Sequence, residues 1–202
     1  MLNEVIHNAN KLVGQKCWNA YNPLFGWIGL SFGGAVINGD PFDDAVEHFY
    51  VGEYSIYIDC QWRLDDGIRC LCSKASSRDK ISHIITCLIG DSVTKIEINP
   101  PVYDVALTFT SGKQLNVFCD LMEQDVYDYS WCFRMMDTEY FMGINNEVRT
   151  KKNTDIFPDF IVDPPVIDIS KQIEAMCQVN SYEIIQNIAE KTKTELRNSP
   201  NP

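Results

Sequence analysis

From Tyr54 to Leu64 the chain alternates between two kinds of side chain. Tyr54, Ile56, Ile58, Cys60, Trp62 and Leu64 fall on one side of an extended backbone; Ser55, Tyr57, Asp59, Gln61 and Arg63 fall on the other. A period of two sustained this long predicts a half-buried antiparallel strand. Asp65, Asp66 and Gly67 then turn the chain, so Ile68–Ser73 is expected back as the second arm of a hairpin. The period changes at residues 79–89, where Ile81, Ile84, Ile85 and Leu88 share one helical face. Ser77 or Asp79 can cap that helix, and Gly90 stands where it should stop. Three more strands are expected at Val93–Asn99, Tyr103–Thr110 and Lys113–Asp120, the last two joined through Ser111 and Gly112 and the first pair interrupted by Pro100 and Pro101. Tyr129–Met135 and Glu139–Ile144 complete a further hairpin around Asp137 and Thr138.

The flanks are less regular. Val5, Ile6, Ala9, Leu12 and Val13 predict a short opening helix over 3–13 with Asn3 as its cap. Residues 21–38 are aromatic and glycine-rich, a pattern of bent strand or loop, because glycine within a strand marks bulges and close backbone approach. Residues 151–165 carry Lys151, Lys152, Pro158, Pro164 and Pro165 and are linker-like, although Ile156, Phe157, Phe160, Ile161 and Val162 need something to pack on. Two short helices should follow, one capped by Ser170 with Ile173, Met176 and Cys177 inward, the other capped by Ser181 with Ile184, Ile185, Ile188 and Ala189 inward. A frayed tail, Asn198–Pro202, ends the chain. The expected fold class is α+β, an antiparallel hairpin-rich sheet packed by a few α-helices. One domain over 1–150 would carry a linker and helical extension over 151–202.

At 202 residues and 45% hydrophobic, the chain can bury a sizeable core. It has no apolar run long enough to cross a membrane as a helix and no signal-peptide pattern at its start, so a soluble, cytoplasmic protein is expected. Its eight cysteines sit mostly within apolar runs and read as buried free thiols, consistent with a reducing compartment.

Charge changes the picture. Residues 40–66 hold eight acids against Arg63, and residues 120–147 hold seven against Arg134. Together these stretches carry −13, more than the whole chain's −11. Such a field attracts and steers basic partners and repels nucleic acid and anionic membrane. Asp40, Asp43, Asp44, Glu47, Asp65, Asp66, Glu123, Asp125 and Asp128 are therefore the candidate partner-binding residues.

Catalytic and cofactor chemistry finds little footing. Gly26, Gly29, Gly33 and Gly34 lack the spacing and the Lys-Ser/Thr ending of a phosphate loop. Cys70 and Cys72 supply at most half of a zinc site, and Asp43, Asp44, Glu47 and His48 lack the alternating donors of a calcium loop. His7 and His83 adjoin no serine or cysteine in a nucleophile setting. Trp18, Trp27, Trp62 and Trp131 lie in or beside apolar runs and read as core. No cofactor, metal or enzymatic role is expected from these residues.

The strand with Tyr54, Ser55, Ile56, Ile58, Trp62, Arg63 and Leu64 resembles one found in a group of small uncharacterised bacterial domains. The run Leu88, Gly90, Val93, Ile96, Ile98, Pro101, Asp104, Leu107, Phe109, Gly112, Leu115, Val117 and Phe118, with the later Trp131, is similar to that group's second block. The resemblance spans about residues 11–145 and rests mostly on core and turn positions. It implies a relation to immunity proteins of bacterial toxin systems, which bind and block a toxin. No catalytic motif comes with it, and residues 150–202 have no counterpart. The expectation is thus an immunity protein that neutralises a basic, nuclease-type toxin domain through its acidic surface, since a cleft that holds phosphates is positive. Two other readings stay open: a scaffold or oligomerisation module using the terminal helices, and a cysteine-dependent enzyme with a cleft built from Cys60, Cys119 and His48.

Overall fold

The structure, a computed structural model, describes residues 2–23, 26–38, 49–119, 129–136, 138–143, 147–152 and 156–178. The chain opens with helix α1 (Leu2–Ala9), extended by a 3-10 turn at Asn10–Leu12, then strands β1 (Cys17–Tyr21), β2 (Ile28–Asn38) and β3 (Phe49–Ile58). Strands β4 (Gln61–Asp65) and β5 (Cys70–Ser73) form the expected hairpin. Helix α2 (Arg78–Ile85) leads through a 3-10 turn into β6 (Val93–Asn99), β7 (Asp104–Phe109) and β8 (Gln114–Phe118). Then come β9 (Trp131–Met135), β10 (Thr138–Met142), β11 (Val148–Lys152), β12 (Ile156–Val162) and helix α3 (Ile169–Gln178). Every named pairing is antiparallel, and the fold class is α+β as the sequence pattern implied.

The strands are divided between two sheets. One runs β1-β2-β3-β9-β10-β11 with β12 added to β2; the other runs β5-β4-β8-β7-β6. The alternating run Tyr54–Leu64 is therefore two strands in two sheets rather than one. It breaks at Asp59 and Cys60, whose amide N–H groups both donate to the Ser130 carbonyl at 3.1 Å. The face assignment survives the break: Ile56, Ile58, Cys60, Trp62 and Leu64 are all buried, in a core that draws from both sheets and from α1 and α2.

Strand β2 shows why its glycines are there. Its first half pairs with β1 (Phe32 opposite Cys17) and its second half with β12 (Ala35 opposite Val162), and between them Gly33 takes a positive φ of 71°. A bulge falls at the same place in the β2–β3 ladder, between Phe32 and Ala35. One long strand thus serves two neighbours on the same edge.

Several expectations need correction. Helix α1 begins at Leu2, so Asn3 lies inside it rather than capping it. The linker-like segment contains β11 and β12, both hydrogen-bonded into the first sheet, and residue 150 falls within β11. Helix α3 is capped by Asp168, whose carboxylate accepts from the Lys171 amide at 3.1 Å; Ser170 is inside the helix. Met176 is buried as expected, and Ile173 and Cys177 are half-buried. The helix expected after Ser181, and the tail, lie outside the described residues. Elsewhere Ser77 caps α2 by accepting from the Lys80 amide, and Gly90 follows with φ 90°.

Candidate functional site

Asp40, Asp43, Asp44, Glu47, Glu123, Asp125 and Asp128 lie outside the described residues, as does His48. What the structure does place is where the chain leaves for these runs. Residues 39–48 are bracketed by Asn38 and Phe49, which face each other at one end of the β2–β3 ladder. Residues 120–128 are bracketed by Cys119 and Tyr129, beside the other end of β3, where Ile58 opposes Trp131. Strand β3 spans about 30 Å between those ends, at the usual rise of an extended chain. The two runs thus depart from opposite ends of one central strand.

Asp65 and Asp66 are placed, and both are engaged. Asp65 accepts from Arg63 Nε at 2.7 Å and from Asn116 Nδ2 at 3.0 Å. Asp66 accepts from the amides of Ile68 and Arg69 at 3.0 and 2.9 Å and from Arg69 Nε at 3.2 Å, closing the turn around Gly67 with its φ of 86°. Those hydrogen bonds hold the Asp66 carboxyl below the usual carboxylate range, the backbone ones foremost. Arg63 and Arg69 balance the two acids on the spot, so this hairpin adds no net charge to the acidic field. Its tip lines an open cavity of about 360 Å³ between Arg63, Asp65, Ile68, Arg69, Cys70 and Gln114. Ile68 is 96% exposed there, an apolar group ringed by charge.

Arg134, which in the sequence read only as a base offsetting nearby acids, is inside the protein. It is 4% exposed on β9, on the opposite side of the sheet from Phe133 and Met135. Its Nη2 donates to the Ser55 hydroxyl at 3.0 Å, and its guanidinium stands 5.2 Å from the Tyr57 ring centroid. Tyr21 adds its hydroxyl to that of Tyr57, and burial raises both phenols above their ordinary value. The register could have revealed this cluster, because Arg134 faces Ser55 and Cys132 faces Tyr57 across the β3–β9 ladder.

The cysteines separate sharply. Cys72 is buried and Cys70 exposed, split by a bulge opposite Leu64 and Asp65, so the two do not form half of a metal site on one face. Among the described residues no group of three His, Cys, Asp or Glu is arranged to hold a metal ion. Cys60 and Cys119 are brought together: the Cys60 thiol hydrogen-bonds the Cys119 sulfur. His83 is exposed and its Nδ1 lies 2.8 Å from the Asp79 carbonyl. Trp18, Trp62 and Trp131 are buried, as their apolar surroundings implied, whereas Trp27 is only half-buried.

No described helix is long and apolar enough to cross a membrane. Comparison of the chain with models of protein families, with curated proteins and with solved structures finds no match.

Proposed function

We propose that this chain is an immunity-type binding protein, which neutralises a basic bacterial toxin domain, of the nuclease kind, by presenting acidic segments to its positive cleft. One observation carries the reading: residues 39–48 and 120–128 each hold four acids and no lysine or arginine. The acids on the β4–β5 hairpin are matched by their own arginines, whereas those two runs carry no base of their own in the sequence. Charge of this kind accelerates encounter with a cationic partner and penalises anionic competitors. The resemblance over residues 11–145 to domains associated with toxin immunity supports the same reading. On it the protein acts in the cytoplasm of the producing cell, without a cofactor and without catalysis.

The test is a tagged pull-down from the native cell at low salt, followed by expression of whatever binds in stoichiometric amount. A basic partner that is lethal alone and harmless beside this chain supports the proposal. Replacing Asp43, Asp44 and Glu47 with lysine should then slow association at least about tenfold at low salt, with the difference shrinking as salt screens it. A partner whose association rate ignores both salt and these reversals would sink the electrostatic reading.

A further inference from the structure

The register of the second sheet places two cysteines opposite each other just beyond its last named pair. Gln61 faces Phe118, so the next step outward sets Cys60 against Cys119. Cys60, Trp62 and Leu64 share the inward side of β4 with Val117 and Leu115 of β8, and Cys119 continues that side. Neither cysteine spends its amide on the other. The Cys60 N–H donates to the Ser130 carbonyl at 3.1 Å, and the Cys119 N–H to Asp104 Oδ1 at 2.7 Å. The pair therefore belongs to the non-hydrogen-bonded class of antiparallel partners, whose Cα atoms approach to about 4.5 Å. That spacing lies inside the window of about 4.4–6.8 Å within which a disulfide can close.

We propose that Cys60 and Cys119 form a redox-reversible modification site, in which hydrogen peroxide oxidises Cys119 and Cys60 closes the disulfide. The chemistry has two steps. The Cys119 thiolate attacks one peroxide oxygen, the O–O bond breaks, hydroxide leaves, and Cys119 becomes a sulfenic acid. The Cys60 sulfur then attacks the Cys119 sulfur, the S–O bond breaks, and water carries away the hydroxyl with the Cys60 proton. The cysteines together lose two electrons and the peroxide gains them. A low-molecular-weight thiol, taken twice, reverses the change and is itself oxidised to its disulfide.

The two residues differ in the way these roles require. Cys119 is partly exposed and so reachable by peroxide, whereas Cys60 is 3% exposed and positioned behind it. The Cys119 S–H points at the Tyr103 carbonyl, 3.3 Å away, which also accepts from the Trp131 indole at 3.0 Å. The Cys60 thiol, foremost, and the Ser130 hydroxyl hydrogen-bond the Cys119 sulfur and hold its titration below the ordinary thiol value of 9.0, against burial and the neighbouring Asp104 carboxylate. Five cysteines go the opposite way: burial pushes Cys17 and Cys72 up to about 12 and raises Cys87, Cys132 and Cys177. This thiol chemistry is independent of any toxin partner.

The full reduced chain is treated with a few equivalents of hydrogen peroxide, its intact mass is measured, and its non-reducing peptide map is read. The expected result is the loss of two hydrogens and one dominant crosslink, Cys60 to Cys119, which a monothiol reductant removes. Cys60→Ser should stop at a sulfenic acid on Cys119 that dimedone traps, and Cys119→Ser should yield neither product. In the unmodified chain at neutral pH, iodoacetamide should label Cys119 about tenfold faster than Cys17 or Cys72, as thiolate fraction and access dictate. Crosslinks scattered over other cysteines, or peroxide consumed with no Cys60–Cys119 bridge, would overturn the proposal. The wild-type map decides this even if a variant does not fold.

Discussion

The indole N–H of Trp62 donates to the carbonyl of Gly26 at 2.6 Å, and both groups are buried. This bond ties β4 in the second sheet to the turn that starts β2 in the first. Trp62→Phe keeps most of the apolar bulk but strands the Gly26 carbonyl inside the protein. The variant should lose about 1–3 kcal/mol, the usual cost of a buried polar group without its partner. Urea unfolding should show this as a lower midpoint with an unchanged slope.

Asp91 gives the fold a pH-dependent contribution. Burial works against its charge, but hydrogen bonds from Ser111, Thr110 and the Ser92 amide outweigh burial and hold its carboxyl below the usual 3.8. A carboxyl lowered on folding stabilises the native state fully above its unfolded value, and that contribution disappears as pH falls through the folded one. Asp91→Asn should therefore cost about 1–2 kcal/mol at neutral pH, where charge-assisted bonds become neutral ones. The gap between the two proteins should close at pH values below 3.8. Stability curves in denaturant at several pH values check the sign; a gap that widens in acid would contradict it.

Helix α3 is held by a small set of contacts. Met176 is 6% exposed and receives the Asn22 amide on its sulfur, while Arg78 Nε donates to the Met176 carbonyl at 2.6 Å. Gln172 adds bonds to Asn19 and to the Ala20 carbonyl, both at 2.7 Å. Met176→Ala should remove the apolar anchor, costing about 2–5 kcal/mol where the site cannot collapse. Hydrogen exchange should then rise over residues 169–178 before it rises in β3 or β7, because locally anchored segments open below the global threshold.

Gly33 sits at φ 71°, and a Cβ there would stand 2.8 Å from Glu53 Oε2 and 3.1 Å from the Tyr54 ring. The glutamate can swing aside, but the left-handed backbone cannot be relieved. Gly33→Ala should cost about 1–2 kcal/mol. That amounts to a fall of several degrees in melting temperature, about 2–4 °C for each kcal/mol at this chain length.

The elements that were legible in the sequence are those whose periodicity reports the core. Tyr54–Leu64 shows which side chains face inward, and all the expected inward positions from Ile56 to Leu64 are buried. It does not show the change of sheet, because the break is imposed by the Ser130 carbonyl, far away along the chain. Strands β11 and β12 were hidden for a different reason. Val148–Lys152 is nearly all polar and exposed, and Ile156–Val162 carries Pro158, so neither has an alternating apolar face to betray it. At the candidate site, Asp65-Asp66-Gly67 announced its turn, but the pairing of Asp65 with Arg63 and of Asp66 with Arg69 cancels a charge that a sequence count leaves standing. Cys60 and Cys119 could be matched once β4 and β8 were known to pair, and not before.

Among the described residues strand β11 ends the path of the first sheet, and along it stand Arg149, Lys151 and Lys152, all exposed. An open sheet edge is a template on which another chain can grow a strand, and lysine or arginine along it is the usual deterrent, because adding a neighbour would bury the charge. At this edge the protein is guarded against fibril-like self-addition. The same guard sets a rule for recognition: an incoming protein gains little by extending the sheet here, so its contacts must be made by side chains and connecting segments rather than by backbone ladders.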